Sequence, residues 1–89
     1  MNDIEQKIRA YIAENILFSD KGYPYPDDAS FLNEGIIDSM NMLQVVTFVE
    51  KHYRISVDDE DITPDNFDSV SRLAAYIRKK TASMPVASK

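Results

Sequence analysis

From Met40 to Tyr53 the chain runs without a glycine or a proline, and its apolar residues recur with the period of a helix. Met42, Val45, Val46, Val49 and Tyr53 fall on one stripe, while Met40, Gln44, Thr47 and Lys51 lie on another face with Leu43 at its edge. The valines lower intrinsic helix propensity, but packing of an amphipathic face outweighs propensity in a folded domain. Directly ahead stands Gly35-Ile36-Ile37-Asp38-Ser39-Met40. This order describes a loop-to-helix junction. Two buried aliphatics anchor the loop, and Asp38 or Ser39 caps the free amides of the first turn. A hydroxyl held there is well placed to carry a phosphate, because the free N–H groups and the helix dipole both favour negative charge.

The rest of the chain reads as helices around this junction. Ile4, Ile8, Tyr11, Ile12, Asn15 and Ile16 share a face, so residues 3–18 are predicted to form a helix capped by Asn2 with Glu5 three residues on. Residues 19–37 form a long connection, broken by Gly22, Pro24 and Pro26, with a short turn of helix near Ala29–Asn33. Residues 54–68 are acidic and irregular. Ile55, Val57, Ile62 and Phe67 point inward, and Thr63-Pro64 starts a helical turn at Pro64–Asn66. The last helix spans 69–80, with Ser69 as cap, Val70, Leu73, Ala74 and Ile77 inside, and Arg78, Lys79 and Lys80 at the end the dipole favours. No stretch carries a strand signal. The expected fold is all-α, a small bundle of three to four helices with a long loop between the first and second. One domain covers 1–80, and 81–89 form a flexible C-terminal tail.

Composition narrows the chemistry. At 89 residues the chain buries only ~60–65% of its unfolded surface, which suits one simple core. It has no Cys and a single His, His52, which excludes a thiol nucleophile, a disulfide framework and a multi-histidine metal site. The acids from Asp58 to Asp68 lack the spacing of a calcium loop. With no Gly-rich phosphate loop and no evident acid–base pair, an enzyme is not expected. The net charge of −5 argues against nucleic acid and anionic membranes as partners and for basic protein surfaces. No run approaches the ~18 apolar residues of a membrane span. The start, Met1-Asn2-Asp3-Ile4-Glu5, has neither a basic nor an apolar leader region, so a cytoplasmic protein is expected. Nothing in the sequence asks for more than a monomer.

Phe31-Leu32-Asn33-Glu34-Gly35-Ile36-Ile37-Asp38-Ser39-Met40 resembles the acyl carrier protein family, whose pattern is an apolar pair, a Gly, two aliphatics and Asp-Ser-Leu/Met. The resemblance continues through Glu50–Val57 and Asp59–Val70 and covers about 3–80. It implies that Ser39 receives 4′-phosphopantetheine from coenzyme A by the action of a separate phosphopantetheinyl transferase, with Asp38 helping that transferase recognise the site. It implies that acyl groups ride on the arm as thioesters and are presented to acyl-loading and acyl-processing enzymes of lipid, polyketide or specialised biosynthesis. It also makes the second helix the docking face, with Met40, Leu43, Gln44, Thr47 and Glu50 as contacts. The residues fit this reading, since a chain without cysteine must import its thiol. Met40 and Leu43 have an alternative place in the core, and Ser39 an alternative role as a cap only, in a helical adaptor that is never acylated. Many carriers of fatty acid synthesis have an acidic outer face on this helix. Here Asn41, Gln44, Thr47, Glu50 and Lys51 include one acid, which favours a specialised carrier and leaves acyl or aminoacyl cargo open.

Overall fold

The computed structural model describes residues 3–83, without the side chains of Ser39 and Ser83. Four helices follow in order: α1 (Asp3–Asn15), α2 (Ser39–Tyr53), α3 (Pro64–Phe67) and α4 (Val70–Ser83), with a 3₁₀ turn at Asp59–Asp61 ahead of α3. No strand occurs among the described residues, as the helical periodicity requires. The expected cap Asn2 lies outside the described residues, as do residues 84–89 of the expected tail.

The apolar stripes meet in one core. Ile8 and Ile12 of α1, Val45 and Val49 of α2, and Val70, Leu73 and Ile77 of α4 are all within 1% of complete burial. Phe31 and Phe67 fill the remaining space at 0% and 1% exposure. Each buried side chain of this size contributes on the order of 1.5–3 kcal/mol by leaving water. α4 is the central staff, since α1, α2 and α3 all pack on it.

Three boundaries differ from the periodic reading. α1 stops at Asn15, three residues before the expected end, because Phe18 adopts a left-handed backbone (φ 53°) and turns the chain away. The last carbonyls of α1 are then closed by Leu17 N–H donating to Ile12 and Ser19 N–H donating to Ala13. The segment near Ala29–Asn33 is not a helix but a series of turns over 31–35, closed where Gly35 (φ 69°) takes the conformation a side chain resists. α4 continues to Ser83, past the expected end at residue 80, helped by Thr81 donating its hydroxyl back to the Ile77 carbonyl.

The long connection is pinned at both ends of its turn. Arg9 of α1 lies 2.7 Å from both carboxylate oxygens of Asp27, and the Asp27 carbonyl accepts the Ser71 amide of α4. Ser69 caps the same helix, its hydroxyl accepting the Arg72 amide at 3.1 Å. Loop and helix start thus satisfy each other's backbone groups.

The α2 N-terminus as candidate functional site

Why the chain presents Ser39 as it does begins at Phe31. Its ring is fully buried, its amide donates to the Asp68 carbonyl at 2.7 Å, and its carbonyl accepts the Ile36 and Ile37 amides. The Asp68 carboxylate reaches across to the same turn, accepting the Ser30 hydroxyl and the Leu32 amide. With Ile36 and Ile37 buried at 4% and 1%, the chain has one way to leave the core, and it leaves at Asp38.

Asp38 is the N-cap. Its backbone is extended, and its Oδ1 accepts the Asn41 amide at 2.8 Å. Of the two residues able to cap α2, the structure selects Asp38 and makes Ser39 the first helical residue. The Met40 amide has no hydrogen-bond partner among the described residues, and the dipole of a 15-residue helix points its positive end here. A phosphodiester fits this environment: an available N–H, a helix start, and an acidic neighbour whose Oδ1 is already engaged by the Asn41 amide.

Beside this junction lies an apolar cleft of about 230 Å³ between α2 and α3. Leu32, Met42, Leu43, Ile62 and Phe67 supply most of its wall. An apolar cavity of about 150 Å³ holds a benzene-sized molecule, so this one has room for a short hydrocarbon chain.

The named face of α2 divides. Met40 and Leu43 are 82% and 63% exposed, which removes the core alternative for both. Gln44 and Thr47 are exposed beside them. Glu50 is different: its carboxylate turns back and accepts the Val57 amide at 2.9 Å, holding the chain after Arg54 reverses it in a left-handed conformation. No sequence signal marks this bond, whose partner lies beyond the helix. Met42 belongs to the core, as its place on the stripe requires. On the opposite flank Tyr11, Phe48 and His52 stack in a ladder, with ring centroids 4.1 and 5.3 Å apart, joining α1 to α2.

The acidic stretch is structural in part. Asp61 accepts the Tyr76 hydroxyl at 2.8 Å, and Asp68 holds the turn already described. Among the described residues no three His, Cys, Asp or Glu side chains converge as metal ligands. No described helix is long and apolar enough to cross a membrane.

Residues 6–77 match the family described as phosphopantetheine attachment site. An acyl carrier protein of Akkermansia muciniphila is 33% identical over 79 residues, spanning 88% of this chain and 92% of that protein. An acyl carrier protein of Buchnera aphidicola subsp. Schizaphis graminum is 28% identical over 80 residues, spanning 90% and 96%. Among solved structures, a chain from one described as "Crystal structure of FAD-dependent dehydrogenase" superposes with a TM-score of 0.65 at 25% identity. The match covers 78% of this chain and 96% of that one.

Proposed function

The chain belongs to the acyl carrier protein family, whose members bear 4′-phosphopantetheine, and from that premise we propose that Ser39 is the residue that carries the arm. The observation behind this is its position. It is the first residue of α2, directly after the cap, inside the matched region and at the one point where the anchored loop leaves the core. A separate phosphopantetheinyl transferase joins the Ser39 oxygen to the phosphate bearing the pantetheine of coenzyme A, and the nucleotide portion leaves. When bound, the group supplies a terminal thiol on which acyl cargo rides as a thioester.

The chain's own residues do the positioning. Phe31, Ile36 and Ile37 fix the loop, and Asp38 fixes the helix start. The Met40 amide and the helix dipole favour the phosphodiester's charge. The cleft walled by Leu32, Met42, Leu43, Ile62 and Phe67 supports apolar acyl cargo over polar aminoacyl cargo, and its size favours a short chain. The protein is a carrier without catalysis of its own, acting as a cytoplasmic monomer that shuttles between acyl-loading and acyl-processing enzymes.

Intact-mass spectrometry after incubation with coenzyme A and a phosphopantetheinyl transferase tests the reading. The wild type gains one phosphopantetheinyl group, and Ser39→Ala gains none. An unchanged wild-type mass, under conditions that load a control carrier, overturns it.

A further inference from the structure

We propose that the outer face of α2 docks an enzyme surface built as an apolar depression bordered by carboxylates, the reverse of what the protein's net charge favours. Met40, Leu43, Gln44, Thr47 and Lys51 are spaced at i, i+3, i+4, i+7 and i+11, which places them on a single strip of the helix, and Arg54 follows as the C-cap, in a left-handed conformation just past the helix end. All six are exposed. The strip begins one residue after Ser39 with two large apolar side chains and ends, ~16 Å along the helix, at Lys51, with Arg54 the next cation in the chain.

No acid lies on it. Glu50 is the one acid of α2 proper, and it is held by the Val57 amide. Neither Lys51 nor Arg54 has an ion-pair partner among the described residues. Exposed residues as large as Met40 and Leu43, together at one end of a helix, suit a partner's pocket. Two free cations at the other end suit anions at that pocket's border.

The net charge of −5 does not decide this contact. Much of it comes from the stretch between Asp58 and Asp68, where Asp61 and Asp68 are already bonded within the fold. At physiological salt a Debye length of ~8 Å screens exposed charges off the strip, while pairs formed in contact persist. Asp38 stands at the far, apolar end with its carboxylate bonded to the Asn41 amide.

The inference rests on Ser39 being the point of cargo attachment, since that is what brings enzymes to this helix. The test uses the full chain in amide-resolved NMR titrations with two synthetic helical peptides. Both carry one leucine stripe, flanked by glutamates in the first and by lysines in the second. The glutamate peptide is expected to shift amides along 40–54 and to bind about tenfold more tightly than the lysine peptide, the gain of two rim ion pairs. High salt and the double variant Lys51→Glu/Arg54→Glu each abolish the preference, and Met40→Asp weakens both peptides. Equal or tighter binding of the lysine peptide overturns the inference, as do shifts mapping away from α2 or no shift with either peptide. The titration reads equally well on unloaded protein, so a failure of Ser39 to load is seen separately, by mass.

Discussion

Nη1 of Arg9 sits 2.7 Å from both carboxylate oxygens of Asp27, tying α1 to a loop 18 residues away. The pair is only partly exposed, with side-chain accessibilities of 25% and 35%. Asp27→Ala is therefore expected to cost roughly 1–2 kcal/mol, more than a surface pair and less than a core truncation. Asp27→Asn keeps one acceptor and the backbone bond to Ser71, so it should lose less. Urea denaturation of the three proteins checks the order.

Asp38 carries a separable structural load. Asp38→Ala removes the acceptor of the Asn41 amide and is expected to cost about 1 kcal/mol, whereas Asp38→Asn retains a cap and costs a few tenths. If Asp38 also serves transferase recognition, Asp38→Asn will load more slowly despite near-native stability. Denaturation midpoints and loading rates, measured on the same samples, separate the two roles.

Phe31 holds the turn that delivers Ser39. Phe31→Ala empties a fully buried site and is expected to cost about 3–5 kcal/mol. For a domain whose total stability is on the order of 5–15 kcal/mol, that is a large share. Phe31→Leu should keep most of the packing. A melting temperature for the Ala variant within a degree or two of wild type would contradict the anchoring role.

Alkaline pH should expose the tyrosines unequally. Burial pushes Tyr23 up to about 12 and raises Tyr53. Burial and then the bond to Asp61 raise Tyr76. In the unfolded chain each titrates near ~10. Their folded values lie higher, so the stability they contribute is complete below pH ~10 and is lost as pH rises through the folded values. Phenolate absorbance should show these three lagging, with denaturation midpoints falling across the same window. Tyr76→Phe should lose about 1 kcal/mol near neutrality, leaving Asp61 without its donor.

Acid pH addresses the ion pair between α1 and α4. Arg78 forks onto Glu5, with both N–O distances at 2.7 Å, and holds the Glu5 carboxyl below its ordinary range. A depressed carboxyl stabilises the fold above its unfolded value of ~4.3, and this contribution is lost as pH falls through the folded value. Melting temperature should therefore drop below pH ~4, and Glu5→Gln should flatten part of that drop. Identical pH profiles for the two proteins would show that the α1–α4 tether contributes nothing.

What the sequence made legible was periodic or local. The run of α2 to Tyr53, the burial of Met42, Val45, Val46 and Val49, and a cap at Asp38 or Ser39 follow from residues within a few positions of one another; the structure chooses Asp38 and leaves Tyr53 half-buried. The end of α1 was not legible, because Phe18 takes a left-handed backbone that its residue type disfavours. The role of Asp27 was not legible either, since its partners Arg9 and Ser71 are set by the tertiary fold. Glu50 sits on the outward edge of α2 in any helical projection, yet the reversal at Arg54 brings the Val57 amide back to it. Helix periodicity reports which side of a helix faces the core, and it is silent on where a long flexible carboxylate ends up.

The bond from Val57 to Glu50 bears on attempts to transplant recognition between proteins of this kind. Grafting α2 alone into another scaffold would free that carboxylate and add an anion beside Lys51, altering the chimera's choice of enzyme without any change in the grafted residues. The four positions after Tyr53, as far as Val57, would have to move with the helix for its preferences to survive the transfer.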